Sequence, residues 1–348
     1  MKGCIQALLF VFLTALLSCT GNGKQPLAGL ETNNELPSGK EGTSIKIQRF
    51  EQDLFSIDVK RFQEDTTKLR KKYGTFLELY FNRIVRLGGL NNPMFKQNLD
   101  GFVHDPDIQS VYQAVQAQFK SLENEQKQIA GAFERYRVLY PDSLIPAIYT
   151  MLSGFSYTIV TADSALAIGL DMYLGADSHF YELLGLPNYK KMQMRRERLV
   201  NDVVRAYLLS SWEMQDPHHD LVTRMIYQGK ILYLSSLLLP EESEASILGY
   251  TEKELTWCKE NEAKVWSHFI DRKLFYSTDF NDELAYINDG PFTKGFPDEA
   301  PARIGVWLGL QLVKSFMIKG DYSPQELMAE KDARKIFSQS KYKPGRVT

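Results

Sequence analysis

The side chains that could do chemistry are few, and they do not fall into a metal-binding or nucleophilic pattern. The five histidines, His104, His179, His218, His219 and His268, form no His-Glu-x-x-His run and no histidine–cysteine cluster, so the chain shows no zinc site of ordinary spacing. His218-His219-Asp220 follows Pro217 and could ligate a metal, but adjacent side chains on an irregular loop do not converge by themselves. A solvated turn ahead of the next helix is the plainer account. Gly305 and Gly309 lie in apolar helical sequence with no Lys-Ser/Thr after them, which fits close helix packing rather than a phosphate loop. No cofactor or metal is expected. The remaining candidates are polar residues inside two apolar helical stretches: Asn201, Asp202 and Arg205 within Leu199–Tyr207, and Gln228 within Met225–Tyr233.

The elements that must position these residues are mostly helices. Leu54, Phe55, Phe62, Leu69, Tyr73, Phe76, Leu77, Tyr80 and Phe81 recur at helical spacing, as do Ile108, Val111, Tyr112, Val115, Phe119, Leu122, Ile129 and Phe133. The stretch from Ile145 to Gly175 changes character. Ile145–Tyr149 and Tyr157–Val160 are β-rich, and Leu166–Leu174 reads as a buried strand; Ile45-Lys46-Ile47 suggests a further short one. Helical periodicity then returns over Lys190–Trp212, Leu221–Leu239, Glu252–Phe275 with Trp257, Trp266 and Phe269 as core anchors, and Arg303–Met317. The expected fold class is α+β, mainly α-helical, with a small sheet near residues 145–175 packed by long helices.

The N-terminus reads differently. Lys2 precedes an apolar run of 13 residues, Ile5 to Leu17, too short to span a bilayer and of signal-peptide length. Leu16-Leu17-Ser18-Cys19 resembles the lipobox of bacterial lipoproteins, which implies cleavage after residue 18 and acylation of Cys19, palmitate among the acyl chains. Residues 20–44 hold five glycines and two prolines and no hydrophobic period. Such a tether keeps the folded part on the order of 25–30 Å from a membrane. The expected organisation is therefore a signal peptide over 1–18, a lipidated and flexible segment over 19–44, and one globular domain over 45–348. Cys4 is discarded with the leader and Cys258 remains alone in a helical pattern, so no internal disulfide is available; a buried structural thiol is the expectation. Lys plus Arg at 41 against Asp plus Glu at 43 gives a net charge of −2 with no basic stripe, which argues against nucleic acid as a partner.

The order strand, helix, helix formed by Gly169–Gly175, Leu199–Tyr207 and Met225–Tyr233 resembles the layout of zincin metallopeptidases. That resemblance sets Asn201, Asp202 and Arg205 at the positions of the motif's first histidine, glutamate and second histidine, and Gln228 at the later glutamate. Every ligand position differs. Amide oxygens are weak donors, and Arg205 would put a permanent cation where a dication belongs, so a zinc-dependent hydrolase is not viable and the metal site is lost. The competing reading is that these are ordinary helix residues, with Asp202 and Arg205 forming a modest i,i+3 ion pair.

Six segments together resemble the gliding-motility lipoprotein B family of Bacteroidetes over about residues 45–344: Arg49–Phe55, Ser153-Gly154-Phe155, Ile168–Gly175, Met225–Tyr233, Asp289-Gly290-Pro291-Phe292-Thr293 and Ser340–Pro344. The resemblance implies a cell-envelope lipoprotein of the gliding and type IX secretion machinery, with no catalytic residues to carry over. Its partners would be the membrane, through Cys19, and envelope proteins of that machinery. The residues after Cys19 lack an acidic surface-export cluster, so a periplasm-facing domain is expected. Three function classes follow: a non-enzymatic binding or assembly factor with a groove for an extended polypeptide; an envelope hydrolase of peptide or glycan using carboxylates such as Asp171 and Asp202 without zinc; and a spacer without a pocket. The Gly/Pro/aromatic loop at Asp289–Thr293 has a shape that can cover a groove, and also that of a packed turn into the last long helix.

Overall fold

Alternate residues of the two central strands point to opposite faces of a small sheet, and both faces are apolar. A computed structural model describes residues 45–162 and 164–344; the expected leader, Cys19 and tether lie outside these residues. The strands are β1 (Ile47–Arg49), β2 (Ala147–Met151), β3 (Ile159–Ala162) and β4 (Ala165–Gly169), in the order β1-β2-β4-β3. β1 and β4 flank β2 in parallel, and β3 returns antiparallel to β4 as an edge. Ile148, Leu166 and Ile168 enter one apolar cluster, whereas Tyr149, Met151, Ala165 and Ala167 enter another. Burial on both faces is why these strands read as near-continuous apolar runs.

One face is covered by α1 (Phe50–Phe55), α2 (Phe62–Tyr73), α3 (Thr75–Leu79) and α4 (Phe95–His104). Phe50 sits edge-on to Tyr73, Phe76 and Tyr80 with centroids 4.7 to 5.2 Å apart, the geometry that aromatic quadrupoles favour. Next to it Glu51, fully buried, pairs with Arg49 at 2.5 Å and accepts a hydrogen bond from Thr150 Oγ1.

The other face carries the larger core. It starts with α5 (Pro106–Gln118), opened by Asp105 as N-cap and Pro106 in the first turn, and α6 (Glu123–Leu139). Short α7 (His179–Leu183) and α8 (Asn188–Lys191) lead to α9 (Leu199–Ser211) and α10 (Leu221–Leu238). Then come α11 (Glu244–Leu248), α12 (Glu252–Glu260), α13 (Glu262–Asp271), α14 (Phe280–Tyr286), α15 (Ile304–Gly320), α16 (Pro324–Ala329) and α17 (Ala333–Ser340). α10 and α15 cross at small residues: a Cβ built on Gly309 would lie 1.9 Å from the Met225 carbonyl oxygen, and one on Gly229 2.4 Å from that of Gly309. The helices touch backbone to backbone, so Gly309 is a packing glycine. Among the described residues no helix is long and apolar enough to cross a membrane.

The chain is mainly helical with a small mixed sheet, the expected α+β class. Most boundaries shift by one to three residues from the sequence reading, and three stretches differ more. The strand expected over Leu166–Leu174 stops at Gly169 and tightens into a 3-10 turn over Leu170–Tyr173, because Asp171 is drawn inward by donors of the Ser153–Phe155 loop. The apolar stripe over Lys190–Trp212 becomes continuous helix only from Leu199. The stretch Glu252–Phe275 splits at Asn261, whose side chain donates to the Trp257 carbonyl at 2.9 Å. Trp257 and Trp266 are half-buried and pack against the core's rim, while Trp307 of α15 and Phe269 lie inside it. Cys258 is fully buried, and burial pushes its thiol far above the ordinary range.

Candidate functional site

α9 is amphipathic in an unusual sense. Leu199, Val203, Val204 and Leu208 face the core, while Arg198, Asp202, Arg205, Ala206 and Leu209, at spacings of three, four and seven, line a cavity of about 330 Å³. Ile159 of β3 forms another wall, Met172 and Met194 supply apolar surface, and Asp289 and Arg303 close the far side. Past it, Thr161 and Ala162 of β3 with Tyr207 and Ser211 of α9 line a second hollow of about 260 Å³. The two hollows follow the same pair of elements.

β3 presents its outer edge along this line. Gly169 N–H donates to the Thr158 carbonyl at 2.9 Å, which makes Thr158 and Gly169 a hydrogen-bonded antiparallel pair. By the two-residue alternation of such ladders, Ile159 and Thr161 turn their N–H and C=O groups away from β4, toward the side where the described residues place no strand.

Three guanidiniums meet at the cavity. Arg198 is about nine-tenths buried; it donates to Asp202 Oδ1 at 3.1 Å and to the Ser246 carbonyl, and its Nε has no partner among the described residues. Arg303, equally buried, pairs through Nε with Asp289 at 2.9 Å and donates to the Leu248 carbonyl at 2.6 Å. Its backbone is left-handed, with φ of 59°, which costs a non-glycine residue on the order of 1 kcal/mol. A Cβ added at Gly249 would lie 3.0 Å from a terminal nitrogen of Arg303 and 3.1 Å from one of Arg198, so both cations approach a residue whose left-handed backbone and close neighbours favour glycine. Arg205 makes a 3.0 Å bond to Gln228 Oε1, and its Nε is buried with no partner among the described residues. Burial, with Arg303 next, lowers the Arg205 pKa to about 10. Asp202 also accepts from Tyr173 Oη at 3.1 Å, and burial raises its pKa against the pull of Arg198 and Arg205.

The four sequence candidates therefore separate. Asp202 and Arg205 line the cavity, and Gln228 orients Arg205 from α10. Asn201 lies outside the cavity lining, donating to Glu242 at 3.1 Å and to Ser246 Oγ at 2.9 Å, because consecutive helix residues diverge by about 100°. The ion partner of Asp202 is Arg198, one turn earlier, instead of the expected Arg205. The sequence reading missed Arg198, although it shares the helix face of Asp202 and Arg205, and it missed Arg303, which arrives from a distant turn with no local signal.

Asp171 is not part of this cavity. It is fully buried and accepts from Ser153 N at 2.9 Å, Ser153 Oγ at 3.2 Å and Phe155 N at 2.7 Å. The Asp289–Thr293 loop does two things. Asp289 reaches the cavity mouth, whereas buried Thr293 accepts from Ile304 N and donates to the Pro301 carbonyl, stapling the turn into α15. His218 lies beside Asp216 and Asp332, their ligating atoms within 4.8 Å of one another. Asp216 already accepts from His218 and Ala333, and Asp332 caps α17. A third cavity, about 220 Å³, holds Lys230, whose Nζ donates to the carbonyls of Met328 and Glu330 and whose pKa burial lowers to about 8.

The segments that suggested a family are architectural. Arg49–Glu51 closes β1 onto α1, Ser153–Phe155 holds Asp171, and Gly229 makes the α10–α15 crossing. No curated protein and no solved structure matched the chain. The family model described as "Gliding motility protein GldB" matches residues 32–344, most of its length, and the chain belongs to that family.

Proposed function

We propose that this gliding-motility family lipoprotein is a non-enzymatic binding or assembly factor of the gliding and type IX secretion machinery. Acylated Cys19 holds it to a membrane, and its domain faces the periplasm and grips an extended polypeptide along β3. The observation that carries this reading is the outer edge of β3 running beside the cavity face of α9, where an added strand finds backbone partners at Ile159 and Thr161. The residues at the cavity also suit holding better than hydrolysis. Arg205 and Gln228 offer no zinc-binding donor set, Asp171 is buried on its own donors, and the two carboxylates that line the cavity, Asp202 and Asp289, are each tied up in an ion pair, with Arg198 and Arg303.

Photocrosslinkers placed singly at Thr161 and Leu209 in intact cells test the reading. Mass spectrometry of the products should put both crosslinks on one contiguous segment of one partner. Crosslinks to unrelated partners, or to distant segments of a folded domain, would overturn it.

A further inference from the structure

We propose that the cavity bounded by Arg198, Arg205 and Arg303 is a carboxylate-binding site. Its ligand is a single carboxylate on an apolar stem, an acidic side chain or a chain terminus of the polypeptide placed along β3. The source of the ligand rests on that functional reading; the chemistry of the site does not.

Charge is the first argument. Three guanidiniums meet two carboxylates, Asp202 and Asp289, so the cavity carries one cation in excess, in surroundings buried enough to depress Arg205. An incoming monoanion neutralises that excess. A phosphate dianion exceeds it and faces both aspartates.

Free valence is the second argument. The Nε atoms of Arg198 and Arg205 are buried and unpartnered among the described residues, so both guanidiniums at the cavity are short of acceptors, and an added acceptor on either cation offsets that cost. A guanidinium offers a planar fork that a carboxylate fills with two bonds.

The third argument is that the site already takes carboxylates of its own. Asp289, whose side chain is 66% exposed, comes in from the solvent side onto Arg303 Nε at 2.9 Å. Asp202 does the same to Arg198 from within the helix. Asp289 is thus a resident occupant that an arriving carboxylate competes with, and the methionine, isoleucine and leucine walls take the aliphatic stem. At about 330 Å³ the cavity is near the lower end for ligand sites, which suits one side chain and not a large cofactor.

Calorimetric titration of the full acylated chain in detergent micelles decides it, with three probes: N-acetylglutamate α-amide for a side-chain source, N-acetylleucine for a terminal carboxylate, and inorganic phosphate. At least one carboxylate probe should bind saturably with one site, and the tighter of the two names the source. Arg205→Gln should weaken it at least tenfold, and Asp289→Asn should tighten it several-fold by removing the resident competitor. If Arg205→Gln does not fold, Asp289→Asn alone decides. Absence of carboxylate binding, phosphate binding as tight, or affinity unmoved by Asp289→Asn would overturn the site. Carboxylate binding without the paired crosslinks would leave the site and remove the polypeptide reading; paired crosslinks unaffected by Arg205→Gln would do the reverse.

Discussion

Asp171 and Arg205 are both ionisable groups taken out of water, and they are treated in opposite ways. Asp171 is surrounded by donors: two backbone N–H groups and a hydroxyl from one loop converge on its carboxylate. Among the described residues Arg205 has a single amide acceptor and an orphaned Nε, with two other cations nearby. A buried charge whose partners are all supplied by the fold is part of the structure. One left short of partners beside open space is held ready for something else.

The largest test of this contrast is Asp171→Ala. It strands the Ser153 and Phe155 amides in the core and should cost about 3–5 kcal/mol, read as a lower urea midpoint at unchanged slope. Lys230 is intermediate, a buried ammonium with two carbonyl acceptors. Its pKa is lowered on folding, so the folded protein releases its proton near pH 8 while the unfolded chain keeps it to about 10.5. Stability should therefore rise with pH across that window, by up to about 3 kcal/mol relative to Lys230→Met, whose own curve lacks the step. Melting both proteins between pH 7 and 10.5 checks the sign; a difference that stays flat would place Lys230 with the fully satisfied groups. The smallest effect is expected at Arg205→Met, within about 1 kcal/mol of the parent or more stable, because an under-satisfied cation is exchanged for an apolar chain of similar length. A loss as large as that of Asp171→Ala would erase the distinction between the two sites.

How much of this was legible in the sequence follows from the range of the interactions involved. Apolar period is a local property, so α10 and α15 and the doubly buried β2 and β4 announced themselves in Leu221–Leu239, Arg303–Met317 and the 145–170 stretch. Where a tertiary hydrogen bond overrides local preference the reading failed, as at Leu170–Tyr173, where Asp171 turns the chain toward a loop 16 to 18 residues earlier. The cavity was half visible. Asp202 and Arg205 stand out as charges in an apolar helix, and Gln228 was found through its apolar neighbours on α10. Arg303 was invisible, because its place depends on a left-handed backbone and on a glycine 54 positions earlier, and neither leaves a periodic trace.

β1 has a mechanical consequence. It is the first strand of the described chain, three residues long, yet it is clasped on both sides: in parallel to β2, and by side-chain and backbone oxygens of the α5–α6 region, where Ile47 N–H donates to Gln126 at 2.9 Å and Arg49 to the Phe119 carbonyl at 2.8 Å. A pull arriving from the N-terminal side and directed along β1 loads those bonds together, in shear, and passes into β2 and α6 at once. Resistance to such a pull is set by a rupture rate and not by overall stability. The fold is thus gripped through an outer strand that its neighbours hold on both sides, from the end by which it would be tugged.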